Sequence, residues 1–149
     1  MSDLYELQLA LNLPDSVSDP DIALLRWHLD GSQEASQAEN FQEVEEYPLL
    51  SSTGSASRIG GALVGELQRG PCGWALAVRQ EIHPDQFGEL HSLLMWLAAR
   101  TTTIGTIGYL RFLEADIPDV LIADSGTVRR LTSPPVGSRQ SELLPGGWC

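Results

Sequence analysis

Arg79, Glu81 and His83 are the residues of this 149-residue chain whose types and spacing are best suited to chemistry. A spacing of two places all three on one face of an extended strand, and Pro84 directly after His83 marks the first turn of a helix. A guanidinium, a carboxylate and an imidazole beside a helix N-terminus are groups that bind an anion or carry a proton. The plainer alternative is that His83 caps the helix while Arg79 and Glu81 pair across a sheet, because no nucleophile or second base accompanies the trio.

The remaining candidates are weaker. His28, His83 and His91 have no i, i+4 pair among them, the spacing that sets two imidazoles on one helical face for a metal. Glu114, Asp116, Asp119 and Asp124 lack the alternating ligands and terminal glutamate of a calcium loop. Gly60, Gly61 and Gly65 lead into a strand without a lysine, so they form no phosphate cradle. There is no Gly-x-Ser-x-Gly elbow, and Cys72 in its Gly-Pro-Cys-Gly turn has no histidine beside it. No catalytic residue, metal ligand or cofactor is assigned on these grounds.

Periodicity identifies the elements that must position these groups. Trp74, Leu76, Val78 and Ile82 alternate with Ala75, Ala77, Arg79 and Glu81, a half-buried strand. Past Pro84 the spacing changes to Phe87, Leu90, Leu94 and Leu97, the stripe of an amphipathic helix running to about residue 100. Tyr5, Leu7, Leu9, Leu11 and Leu13 alternate with Glu6, Gln8, Ala10 and Asn12, giving another such strand. Ser18 caps a helix over Asp19, Pro20 and Asp21, with Ile22, Leu25 and Leu29 inward and Gly31 as its left-handed stop. Residues 47–50 suggest a brief edge strand, 59–69 a glycine-interrupted strand paired with that of Trp74, and 106–114 a strand covered on both faces. Residues 120–123 and 127–131 flank an Asp-Ser-Gly turn and close the set as a hairpin.

This order, strand-helix-hairpin-helix-strand plus a hairpin, predicts an α+β fold of the ferredoxin-like type. That is a split βαβ sandwich with an antiparallel sheet, two helices on one face and an added C-terminal hairpin. The expectation is one domain over residues 1–131, with an acidic mobile loop over about 32–46 and a disordered tail over 132–149 that carries Leu143, Leu144 and Trp148.

Charge is the strongest functional constraint. Residues 1–50 hold eleven acids against the single Arg26, a net of −10, while residues 51–149 hold nine acids against eight arginines. Such a field repels a phosphate backbone, so nucleic acid is not an expected partner. No basic leader and no apolar run of about 20 residues is present, so neither secretion nor a membrane is expected, and the two isolated cysteines suit the cytoplasm.

Three functional readings follow. In the first, the chain is a non-catalytic interaction module, an inhibitor or adaptor that engages a basic protein through Glu39, Glu43, Glu45 and Glu46. In the second, a small-molecule-binding protein or small enzyme uses the open sheet face at Ala75, Ala77, Arg79, Glu81 and His83, as a homodimer that encloses it. A purely structural homodimer is the third.

Overall fold

A computed structural model describes residues 3–31 and 48–132. The expected acidic loop, Glu39, Glu43, Glu45, Glu46 and the tail from residue 133 lie outside the described residues. The elements are β1 (Tyr5–Pro14), α1 (Asp19–Asp30), β2 (Gly54–Ser55), β3 (Ala62–Gly70), β4 (Gly73–Ile82), α2 (Phe87–Ala98), β5 (Gly105–Phe112), β6 (Asp119–Asp124) and β7 (Thr127–Leu131). The fold is α+β: a seven-stranded sheet in the order β2-β3-β4-β1-β5-β6-β7, with every pairing antiparallel.

β1 lies at the centre, paired along its whole length with β4 and over Tyr5–Leu9 with β5. Its odd leucines, Leu7, Leu9, Leu11 and Leu13, share one core with Leu25 and Leu29 of α1 and with Leu90, Leu93, Leu94 and Leu97 of α2. The apolar alternation along β1 and β4 is therefore the sequence image of a sheet with one face covered by helices. Where β5 stops short, the threonines after α2 take over its role. Asn12 donates its N–H to Thr103 Oγ1, and its carbonyl accepts from the Thr102 N–H and the Thr101 hydroxyl.

The caps follow the sequence. The Ser18 hydroxyl accepts from the Asp21 N–H, and Gly31 ends α1 at φ 70°, donating to the Trp27 carbonyl. Arg100 joins the two helices, with Nε 2.9 Å from Asp21 Oδ2 and its guanidinium over the Trp96 ring. In the β6–β7 turn Ser125 and Gly126 both have positive φ, as a two-residue hairpin loop requires.

Several boundaries differ from expectation. No strand forms at Leu49–Leu50; these residues are buried, and their N–H groups bond the His28 ring and the His28 carbonyl instead of a ladder. The short edge strand is β2. Next to it, Gln80 occupies an inward position of β4 at 1% exposure and is satisfied by backbone: it accepts from the Ser52 N–H and donates to the carbonyls of Ser52 and Val64. His28 and Gln80 thus draw residues 49–52 across β3, and the Leu50 carbonyl passes so close to Gly65 that a side chain there would collide with it. The strand expected from Ile59 begins only at Ala62, because Ser57–Gly61 folds over the other face of the sheet. A 3-10 turn, Pro84–Gln86, precedes α2, which ends at Ala98.

Candidate functional site

The face opposite the helices carries the even residues of β1, the odd residues of β4 and, on β5, Tyr109 and Arg111. Glu6 stands directly across from Arg111 on one side and Glu81 on the other, while Gln8 faces Arg79 and Tyr109. Two carboxylates opposite one another repel, and the arrangement separates their tasks. Glu6, only 5% exposed, receives Arg79 Nε on Oε2 at 2.8 Å and Arg111 Nε on Oε1 at 3.0 Å. The Tyr109 hydroxyl lies 3.5 Å from the same Oε2. Burial, with the Glu6 charge beside it, raises the Tyr109 hydroxyl above its ordinary value, so it remains a neutral phenol.

Glu81 turns outward to the loop before β3. Its carboxylate accepts the successive N–H groups of Ser57, Arg58 and Ile59 at 3.0, 2.7 and 3.2 Å, together with the Ser57 hydroxyl. Backbone donors in series form an anion-binding concavity, here filled by the protein's own side chain. Arg79 grips the other end of the loop, donating from Nη1 to the Gly60 and Ala62 carbonyls at 2.6 and 3.1 Å. Gly60 and Gly61, with φ of 81° and 68°, let the loop turn back there. Arg111 likewise ties down the β5–β6 connection through the carbonyls of Leu113 and Ala115.

Burial pushes the Glu81 carboxyl up, but the hydrogen bonds from Ser57, Arg58 and Ile59 together outweigh it and hold the group below its ordinary 4.5. The folded value being the lower one, this clamp stabilises the protein above pH 4.5 and is lost as pH falls through the depressed folded value. Amide hydrogen exchange at Ser57, Arg58 and Ile59 is therefore expected to accelerate at least about tenfold in Glu81→Gln at neutral pH, through loss of the charge-assisted bonds. In the wild type the same amides lose protection only in acid. Unchanged exchange in the variant would mean that the loop is held by other contacts.

Of the five residues expected at a ligand face, Arg79 and Glu81 belong to one network. Ala75 and Ala77 lie farther along β4, exposed and across from Asn12 and Ala10. His83 is exposed beyond the end of β4, where its N–H donates to Gln86 Oε1 and its carbonyl accepts from the Gln86 N–H. Among the described residues no hydrogen bond or ion pair joins the His83 side chain to Arg79 or Glu81. Arg111, Tyr109 and Ser57 were not singled out in the sequence. The one signal for Arg111 is its spacing of two from Tyr109, which sets both on one face of a strand otherwise apolar on both parities.

Both carboxylates accept from several donors, Arg79 holds Glu6 and the loop carbonyls, and Arg111 holds Glu6 and the carbonyls of Leu113 and Ala115. No cluster of three or more His, Cys, Asp or Glu suited to a metal occurs among the described residues, and none of their helices is long and apolar enough to cross a membrane. Compared with known proteins, the chain matches no family model, no curated protein and no solved structure.

Proposed function

We propose that this chain is a non-catalytic protein-interaction module, an inhibitor or adaptor whose acidic first third engages a basic protein. The observation that carries this reading is the net charge of −10 over residues 1–50. The arginines of the folded body neutralise only part of that excess: Arg69 pairs with Asp15, Arg100 with Asp21, and Arg79 and Arg111 with Glu6, while Arg130 is taken up by Asp119, and the four glutamates of the proposed contact are not among these partners. Complementary charge then supplies fast encounter and rejection of wrong partners. The second reading, a ligand on the face of Ala75, Ala77, Arg79, Glu81 and His83, draws less support, since Arg79 and Glu81 are engaged in holding the loop over that face. The ferredoxin-like plan belongs to the same proposal. It is supported by the order β5-β1-β4-β3 of the four central strands, with β6 and β7 as the added hairpin. An exposed, unbridged Cys72 suits the cytoplasm.

The test is a charge reversal of the proposed contact, Glu39, Glu43, Glu45 and Glu46 each to Lys. Capture from host extract at low salt is expected to yield a basic polypeptide whose affinity falls at least about tenfold in the variant and steeply with salt. Equal retention by wild type and variant, or no basic partner with either, would overturn the proposal.

A further inference from the structure

α2 packs beside the last hairpin, with β7 as its nearest strand, and between the helix and strands β5, β6 and β7 lies a groove of about 340 Å³. Its floor is Leu90, Leu94, Leu110 and Leu121, all buried, and its walls are the half-buried Phe87 and Val128. The Val128 N–H points at Met95 Sδ, 3.5 Å away, and closes the groove along the helix. Among the described residues two polar side chains line it, His91 from α2 and Arg130 from β7, and both are exposed. The Arg130 Nε donates to Asp119 Oδ2 at 2.6 Å, which fixes the guanidinium; among the described residues neither its Nη atoms nor the His91 ring has a hydrogen-bonding partner.

An apolar trough of this volume with a few polar groups at its mouth has the make-up of a small-molecule site. We propose that the groove binds a medium-chain alkyl carboxylate, with the chain on the leucine floor and the carboxylate at the mouth between Arg130 and His91. The sign of the head group follows from the donors: a guanidinium has N–H groups and no acceptor, and an imidazole donates at least one N–H in either protonation state. An alkyl chain covers the half-buried Phe87 and Val128 together with the little of the leucines that is still open, and the carboxylate gains the charge-assisted bonds that the free Nη atoms offer. The site lies on the opposite face from the Glu6 network and is independent of the acidic first third.

The probe is decanoate, titrated below its micelle concentration into the ¹⁵N-labelled full chain, with decyltrimethylammonium and acetate alongside. Decanoate is expected to shift the amides of Leu94, Leu121, Val128 and Arg130, and the other two compounds are not. Arg130→Gln and His91→Ala, both at exposed positions, are each expected to weaken decanoate about tenfold while leaving the rest of the spectrum in place. No shifts, shifts elsewhere, equal binding of the ammonium analogue, or indifference to Arg130→Gln would overturn the assignment.

Discussion

Replacing Gly108 with alanine is expected to destabilise the protein by about 3 kcal/mol or more, enough to lower the melting temperature by roughly 6–12 °C in a domain of this size. Gly108 pairs with Leu9 in the middle of the sheet, at a register shift in which Thr106 and Gly108 face consecutive residues of β6. A β-carbon there would overlap the Gln8 carbonyl and press on the backbone of Leu9. The obstacle is main chain, which has no rotamer to offer, so β1 and β5 must separate where their ladder is needed. Gly88 is the control: nothing lies within 4 Å of a β-carbon at that position in α2, and Gly88→Ala is expected to be neutral or stabilising by up to about 0.5 kcal/mol. Chemical denaturation of both variants checks the pair, and equal stabilities would show that β5 does not approach β1 as closely as described.

Glu6→Ala carries the other large effect, an expected loss of about 2–3 kcal/mol. The cost comes from what stays behind. Arg79 and Arg111, with side chains 19% and 23% exposed, would face each other across the vacated position without a counter-charge, and stranding a largely buried charge is what makes such removals expensive. Their residual access to water sets the figure below that for a fully buried pair. Arg79 also loses the anchor from which it holds the loop, so exchange at Ile59–Ala62 is expected to rise together with the loss of stability. Glu6→Gln, which keeps the shape and an acceptor, is expected to cost less than half as much. Parity of the two variants would show that the charge of Glu6 is not what matters.

The parts of this structure that repeat locally are legible in the sequence. β1 and β4 announce themselves by alternation, α1 by its Ser18 cap and Gly31 stop, and the final hairpin by Asp-Ser-Gly. The parts that depend on distant neighbours are not. Gln80 breaks the apolar run of β4, and only the position of Ser52 explains why a polar side chain is stable there. Leu49 and Leu50 read as an edge strand, since nothing nearby reveals that His28 will take their N–H groups. Arg79 and Glu81 were recognised as outward and polar, but their partners lie some twenty residues earlier in a loop or, for Glu6, 73 residues away. The groove is beyond reach for a related reason: it lies where α2 meets β5, β6 and β7, and periodicity carries no information on which elements lie side by side.

The central position of β1 also sets a timetable for the growing chain. The strand at the middle of the sheet leaves the ribosome early, yet its partners are Gly73–Ile82 and Gly105–Phe112. At about 5–20 residues per second, several seconds pass between the emergence of its leucine face and that of the second flanking strand. Until β4 and α2 follow, Leu7, Leu9, Leu11 and Leu13 have α1 alone to pack against, and both edges of the strand are open to chaperones and to neighbouring nascent chains alike. The yield of folded protein in a cell should therefore depend on translation speed between residues 14 and 105 as well as on the stability of the finished sheet.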